Sequence, residues 1–252
     1  MPVTSLDAMP PRTEGTLRVV SYNIHSCIGL DRLHSPERIV ETLAAFEADV
    51  IALQEVETGR HRTGRRDQPQ EIAARLGMDL HFHPAVRHPD GDYGIAVLSR
   101  LPMERVRAAH LPRLRLPFVE PRVAQVVRIH ANGSALSVVN THLGLLSRER
   151  ARQALHLRGW LQELCARGPT LLCGDLNATP NSRECRLLNG WLRDVVPAGR
   201  IARTFPVNFP ISRLDHILVS ADVDCVAVAV PRNPLTLAAS DHFPVVADVR
   251  VR

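Results

Sequence analysis

Residues 169–180 limit what this chain can fold into more than any other stretch does. Residues 170–173 form a short apolar run between a proline and a glycine, which is typical of a buried β-strand. The chain then presents Asp175 and Asn177, which are spaced so that both can face one cleft. A carboxylate and an amide at the end of a buried strand can hold water, a metal ion or a phosphate, although Gly-Asp after a strand is by itself usually only a turn.

Polar side chains of the types used in catalysis recur at the ends of six other apolar runs. They are Asn23, Gln54 with Glu55, Tyr93, Asn140 with His142, Asp215, and Asp241 with His242. Each of these alone is better explained as a turn cap, a surface residue or a buried polar group. Seven repeats of the same placement instead predict a ring of side chains that converge on one cleft.

Hydrophobic periodicity and turn residues predict a mixed α/β chain. Helices are predicted from Pro36 after a Ser35 cap, over 69–76 before Gly77, over 147–165 with Leu155 among its inward residues, and over 182–188. Strands are predicted at 17–22, 49–53, 80–83, 95–99, 123–130, 135–139, 170–173, 216–219, 226–230 and 245–251, with a hairpin turn at Asn132-Gly133. Since no linker interrupts residues 16–252, we predict one domain there, after a disordered tail over residues 1–15.

Charge and composition exclude several functions. The net charge is +5 and every one of the 31 basic residues is arginine, so a lysine Schiff base and a phosphate-loop lysine are excluded. Arginine suits phosphate contacts, which makes an anionic substrate plausible, while the dense basic stretch 60–66 is predicted to be a solvated loop. Five cysteines without a C-x-x-C pattern argue against a disulfide framework or structural zinc. No apolar run reaches the ~18 residues that span a bilayer, and no signal peptide is recognised, so we expect a cytoplasmic monomer without stable membrane insertion.

Seven stretches, in this order, resemble the motifs of the endonuclease/exonuclease/phosphatase superfamily, and in particular its compact bacterial metal-dependent hydrolases. They are Ser-Tyr-Asn-Ile-His at 21–25, Leu-Gln-Glu-Val at 53–56, Tyr-Gly-Ile-Ala-Val-Leu-Ser-Arg at 93–100, Asn-Thr-His-Leu-Gly at 140–144, Gly-Asp-Leu-Asn-Ala-Thr-Pro at 174–180, Arg-Leu-Asp-His-Ile-Leu-Val-Ser at 213–220 and Ser-Asp-His-Phe-Pro-Val at 240–245. The resemblance implies a DNase I-like fold, a four-layer αββα sandwich of two mostly antiparallel sheets. It also implies a phosphodiester hydrolase that uses Mg²⁺ or Mn²⁺.

The resemblance assigns roles to the residues at the strand ends. Glu55 is the expected direct metal ligand, Asn23 supports it, and Asp241 completes the site or holds a second ion. Asp175 is expected to orient or deprotonate the attacking water, and Asn177 to hold a phosphate oxygen.

Further residues are expected at the same phosphate. His242 contacts it with Asp215 fixing the imidazole tautomer, and Tyr93 and His142 are further donors. Arg122 and Asn140 are expected to contact the substrate or to support the site. Whether Asp175 or His242 is the general base stays open at this point.

The identity of the substrate also stays open, because fold and motifs indicate the bond that is broken and not the molecule that carries it. Basic charge favours nucleic acid, whereas an aromatic content of only 4% argues mildly against stacked bases. A lipid or inositol head group is the alternative, which a rim loop within 108–121 could approach. A catalytically inactive phosphate-binding module is a third possibility, and the complete set of motifs argues against it.

Overall fold

We describe the protein from a computed structural model that covers residues 6–8, 11–131 and 133–252. Residues 1–5 and 9–10 of the predicted tail, and Asn132 of the predicted hairpin turn, lie outside the described residues. In the described part of the tail, Arg12 forms an ion pair of 2.5 Å with Asp49.

Twelve strands and five α-helices make up the described part of the chain. The strands are β1 (Leu17–Asn23), β2 (Val50–Thr58), β3 (Asp79–His88), β4 (Gly91–Ser99), β5 (Met103–His110), β6 (Val123–Ala131), β7 (Ser134–His142), β8 (Thr170–Asp175), β9 (Arg193–Asp194), β10 (Asp215–Val219), β11 (Val223–Ala229) and β12 (Val245–Val251). The helices are α1 (Pro36–Ala44), α2 (Gln68–Leu76), α3 (Ser147–Cys165), α4 (Arg183–Leu188) and α5 (Pro234–Ala239).

The strands form two six-stranded sheets. The first has the order β11-β12-β1-β2-β4-β3, and the second has the order β5-β6-β7-β8-β10-β9. Only the pairs β1–β2 and β7–β8 are parallel among the pairings within these sheets of the described chain. The predicted pair of mostly antiparallel sheets is therefore confirmed.

Three apolar layers hold the sheets and helices together. The central layer joins residues of both sheets, such as Val19 and Val50 of the first and Leu171 of the second. A second layer packs α1 and α2 against the outer face of the first sheet, and a third packs α3 and α4 against the second sheet. Strand β8 shows why its sequence is continuously apolar, because Leu171 faces the other sheet while Leu172 faces α3. The arrangement is the predicted αββα sandwich.

Local sequence signals set most helix ends. The Ser35 side chain accepts a hydrogen bond from the Arg38 N–H at the start of α1, with Pro36 in the first turn. Gly77 ends α2 in the left-handed conformation, at φ 64°.

The structure corrects several predicted elements. Strands β5 and β9 and helix α5 were not predicted. Leu155 is 58% exposed, whereas the neighbouring Ala154 and, further along α3, Leu157 and Trp160 are buried and belong to its inward stripe. Strand β2 continues to Thr58 instead of ending near Leu53. None of the described helices is long and apolar enough to cross a membrane.

Candidate active site

The predicted strand ends converge on one cleft of about 550 Å³. Strands β1 and β2 run parallel, as do β7 and β8, so each pair ends at the same edge of its sheet. Strand β10 runs antiparallel to β8, which places its first residue, Asp215, directly opposite Asp175. The cleft is lined by His25, Ser26, Ile28, Glu55, Glu57, Arg60, Arg62, His88, Tyr93, Glu120, Arg122, His142, Leu145, Asp175, Asn177, Phe205, Leu214, Asp241 and His242.

Asp175 lies at the centre of this cleft and is only 1% exposed. Its Oδ2 accepts a hydrogen bond of 3.0 Å from the Asn23 side-chain amide. Its Oδ1 accepts one of 2.8 Å from the backbone N–H of Asn177, which has a positive φ of 47°. The carboxylate is therefore held in one orientation from two sides.

His242 and Asp215 form a buried pair beside Asp175. The His242 Nδ1 lies 2.8 Å from the Asp215 Oδ2, so Nδ1 carries the proton and Nε2 is directed toward Asp175, with 3.8 Å between Nε2 and Oδ2. The Phe205 ring packs against the imidazole with 4.7 Å between the ring centroids. This hydrogen bond is the contact that the expected role of Asp215, fixing the tautomer of His242, requires.

Burial and neighbouring charges shift the pKa of both groups. Burial lowers the pKa of His242. The carboxylates of Asp215, Asp175 and Asp241 together raise the pKa by more than burial lowers it, so the net shift is upward. Burial is the main reason why the pKa of Asp175 is raised, and the nearby Asp215 carboxylate adds to the rise. The charge of His242 and the hydrogen bonds from Asn177 and Asn23 lower the pKa in part. The cleft consequently holds a cationic imidazole beside a carboxylate with a raised affinity for protons.

His142 is held as a neutral ring. Arg122 donates from Nη1 to the His142 Nδ1 at 3.3 Å, and the His142 Nε2 lies 3.1 Å from the Asn177 Nδ2 and 3.5 Å from the Asp175 Oδ2. Burial lowers the pKa of His142 well below its usual range, and Arg122 and His242 lower it further. His142 is therefore uncharged at neutral pH.

Glu55 reaches the cleft because strand β2 bulges at this residue. The pairing with β4 shifts between Gln54 and Val56, and Glu55 has a positive φ of 57°. Its Oε1 accepts a hydrogen bond of 3.0 Å from the same Asn23 amide that holds Asp175. On the other side, the Asp241 Oδ1 is 3.8 Å from the Nδ1 of His25.

These groups fit a divalent cation of the hard type. The carboxylates of Glu55, Asp175 and Asp241 line one cleft, and carboxylate oxygens are the ligands that Mg²⁺ and Mn²⁺ prefer. A second grouping among the described residues brings ligand atoms of Asp175, Asp215 and His242 within 4.8 Å of one another. In this second grouping, Asp215 and His242 are already hydrogen-bonded to each other.

Tyr93 completes the wall between Glu55 and Arg122. Burial raises the pKa of its hydroxyl, the Glu55 carboxylate raises it further, and Arg122 lowers it in part. The hydroxyl therefore keeps its proton and can donate a hydrogen bond into the cleft.

The structure separates Asn140 from the other predicted residues. Its side-chain Nδ2 donates to the carbonyls of Leu53 and Ala96 in the first sheet, at 3.0 and 2.8 Å, and its Oδ1 accepts from Gln54. Asn140 is fully buried and does not line the cleft. It joins the two sheets behind the site and has no N–H left for a substrate. Asn23 and Asp215 are also buried, but each contacts a side chain of the cleft wall.

We expect Asn140→Ala to destabilise the fold by roughly 2–4 kcal/mol, because it removes three buried hydrogen bonds, those with the Gln54 amide and with the Leu53 and Ala96 carbonyls. Urea unfolding measures this change, with Asn208→Ala, at an exposed loop position, as the control. An unchanged urea midpoint for Asn140→Ala would contradict the role of this residue as a link between the sheets.

Sequence reasoning missed several residues of the cleft, above all those in the arginine stretch that was expected to be solvated. Arg62 bonds to the buried Glu57 carboxylate and lies 3.3 Å from the Ser26 Oγ, and Arg60 donates to Asp90 at 2.8 Å. Phe205 and His25 were missed as well. The density of arginine was the only sequence signal for this wall, and no local pattern tells a cleft wall from a solvated loop.

The fold and the site define a class of protein, and comparison with known proteins agrees. The chain belongs to the Endonuclease/Exonuclease/phosphatase family, whose model matches residues 20–242. It is 29% identical over 258 residues to the uncharacterized protein YbhP of Escherichia coli (strain K12), and the alignment covers 96% of this chain and 100% of YbhP.

Two solved structures share the fold. The endonuclease/exonuclease/phosphatase from Beutenbergia cavernae DSM 12333 superposes with a TM-score of 0.76 at 23% identity, covering 94% of this chain and 72% of that one. The human nocturnin catalytic domain with bound sulfate anion has a TM-score of 0.73 at 24% identity and covers 96% of both chains. The predicted family and fold are thereby confirmed.

Proposed function

We propose that this protein is a divalent-metal-dependent phosphodiesterase, nuclease-like in its reaction, that hydrolyses its substrate by attack of water. The observation that carries the proposal is the Asp175 carboxylate, oriented by Asn23 and Asn177 and facing the His242–Asp215 pair across one cleft. Membership of a phosphoesterase family supports it. The cytoplasmic location and the monomeric state stay predictions from the sequence.

Glu55, with Asn23 and Asp241 beside it, would hold Mg²⁺ or Mn²⁺. A bound cation of this kind neutralises charge on the phosphate and lowers the pKa of a coordinated water. Asn23 is suited to a supporting role because its amide is already bonded to both Glu55 and Asp175.

Asp175 is our choice for the group that accepts the proton of the attacking water. Burial and Asp215 raise its pKa, so the carboxylate is a better proton acceptor than an exposed aspartate. His242 is poorly suited to that task, because its raised pKa keeps the ring protonated. As an imidazolium it can instead donate from Nε2 to a phosphate oxygen or to the leaving oxygen.

Four further side chains would hold the phosphate. Asn177, His142, Tyr93 and Arg122 all line the cleft around Asp175. Tyr93 offers a neutral O–H donor and Arg122 contributes a positive charge, while the Asn177 Nδ2, which also donates to the Leu143 carbonyl, lies 3.1 Å from the neutral His142 ring. Donors of this kind stabilise the negative charge that builds up on the phosphate oxygens in the transition state.

Release of p-nitrophenol from bis-p-nitrophenyl phosphate tests the reaction class. We expect EDTA to abolish turnover and Mg²⁺ or Mn²⁺ to restore it, because the carboxylates at the cleft need a cation before an anionic substrate can approach. Glu55→Ala should raise the metal concentration for half-maximal activity by at least about tenfold. Glu104→Ala, at an exposed residue of β5, is the control. EDTA-resistant turnover, or no turnover with either metal from folded protein, would contradict the proposal.

A lipid or inositol head-group phosphodiesterase is the second candidate. It is favoured by exposed apolar side chains near the cleft, since Leu145 lines it and is 70% exposed. Faster cleavage of phospholipid vesicles than of DNA would select this candidate. A catalytically inactive phosphate-binding module is the third, and the intact set of Glu55, Asp175 and His242 argues against it.

A further inference from the structure

A smaller cavity of about 200 Å³ adjoins the active-site cleft. The two share three wall residues, Glu120, Arg122 and Leu145. The rest of the smaller cavity is lined by Phe118, Val119, Gly144, Leu146 and Glu149. The two cavities therefore lie side by side, and we call the smaller one the side pocket.

Glu149 places an incompletely bonded carboxylate in the side pocket. The residue lies in the first turn of α3 and is 1% exposed. Its carboxylate accepts a hydrogen bond from the Leu114 backbone, but its Oε1 is buried without a hydrogen-bond partner among the described residues. Burial raises the pKa of Glu149, while the Leu114 N–H and the nearby Arg122 and Arg113 lower it. Buried acceptors of this kind are uncommon and call for an explanation.

Arg122 contributes a donor that is incompletely bonded in the same way. Its Nη1 contacts His142, and its Nη2 lies 3.5 Å from the Glu120 carboxylate. Within the described part of the chain its Nε is buried and has no hydrogen-bond partner. The lining of the side pocket thus includes one buried acceptor and one buried donor that have no hydrogen-bond partner among the described residues.

The rest of the side pocket is apolar and carries an aromatic ring. Phe118 is 74% exposed and Leu145 is 70% exposed, which is unusual for large apolar side chains next to a cleft. Val119 and Leu146 complete the apolar wall. The volume is below the roughly 300–1,000 Å³ of pockets for drug-sized ligands, so it suits one planar ring system.

We propose that the side pocket is a nucleobase subsite, in which a base packs against Phe118, donates an N–H to Glu149 and accepts a hydrogen bond from the Arg122 Nε. This inference rests on the proposed phosphodiesterase activity and makes the substrate a nucleotide ester. Every nucleobase presents a donor beside an acceptor on its edge and a flat face for stacking. An acyl chain would fill the apolar part but leave both vacant groups desolvated and unbonded, which costs free energy.

The test compares two p-nitrophenyl esters, that of thymidine 5′-monophosphate and a methyl p-nitrophenyl phosphate that lacks a base. We expect the wild-type protein to show a higher kcat/KM for the thymidine ester. Glu149→Gln should lower the ratio of the two kcat/KM values roughly tenfold, because the charged acceptor of the N–H is replaced by a neutral one. Glu163→Gln, at an exposed residue of the same helix, should leave the ratio unchanged.

Two further measurements test the proposed contacts of the base separately, the N–H that reaches Glu149 and the stacking on Phe118. Methylation of the thymine N3 removes the N–H that would reach Glu149, so the N3-methylthymidine ester should have a lower kcat/KM than the thymidine ester. Glu149→Gln should not lower the kcat/KM for the methylated ester any further. Phe118→Ala should lower the kcat/KM of both nucleoside esters relative to that of the base-free ester, since stacking does not depend on the N–H. Circular dichroism melting of each variant establishes that it is folded.

The outcomes separate this inference from the proposed function. Equal kcat/KM values for the base-containing and base-free esters, or a Glu149→Gln effect that persists on N3-methylthymidine ester, would overturn the subsite while leaving the phosphodiesterase intact. Metal-dependent cleavage of phospholipid vesicles in preference to both nucleoside esters would also overturn it. Absence of turnover on every ester would refute the phosphodiesterase itself, and calorimetric binding of thymidine 5′-monophosphate against ribose 5-phosphate would then test the subsite alone.

Discussion

We expect Asp175→Asn to lower kcat for bis-p-nitrophenyl phosphate by about 10²-fold or more while the protein stays folded, as loss of a positioned general base does. Asparagine has nearly the same shape as aspartate and can still accept the hydrogen bond from the Asn177 N–H. It cannot take a proton from water, and its amide would face the amide of Asn23, which now donates to Asp175. The loss should therefore appear in kcat more than in KM.

Steady-state kinetics with Mg²⁺ and urea unfolding of the same preparation measure the two parts of this prediction. Asp224→Asn provides a matched control, since Asp224 is an exposed aspartate on β11 that pairs with Arg252 and Arg193. If Asp175→Asn kept the wild-type rate, Asp175 would not be the general base and the proposed mechanism would be wrong at its main step.

Asp215→Asn should have a comparably large effect, a loss of about 10²–10⁴ in kcat, as when the carboxylate that orients a catalytic histidine is replaced. Asp215 is fully buried and accepts a hydrogen bond from the His242 Nδ1 at 2.8 Å. An asparagine there can present its N–H to that nitrogen and so favour the wrong tautomer of the imidazole. Measurement of kcat by p-nitrophenol release tests this expectation.

The same substitution should change the pH profile in a stated direction. Burial alone lowers the pKa of His242, and Asp215 is the neighbour that most raises it. An imidazolium with a raised pKa is present at pH values below that pKa and is lost as the pH rises through it. Without Asp215 the pKa falls, so the alkaline limb of log kcat against pH should move to lower pH. An alkaline limb at the wild-type position would mean that His242 does not act as a cation.

The sequence by itself determined most of the strands, several helix ends and the family to which the candidate site belongs. Apolar runs such as residues 170–173 read as strands because they are buried on both faces. Ser35 and Gly77 set the ends of α1 and α2 through local hydrogen bonding and backbone conformation, which need no distant partner. The order of the motifs that contain Glu55, Asp175 and His242 then indicated the family to which the chain belongs.

The tertiary structure alone decided which of the candidate residues reach the cleft. Asn140 and His142 lie two residues apart on β7 and share a face, yet the first sheet covers Asn140 while His142 lies at the open edge. A sequence shows the face of a strand but not how far the opposite sheet extends over it.

The neighbours of Arg62, Arg122 and Glu149 depend in the same way on chain segments that are distant in sequence. Arg62 belongs to the cleft because its loop folds over Ser26, and the side pocket exists because the loop around Phe118 meets the start of α3. Local propensity carries no information about such contacts, because they form only when separate elements pack together.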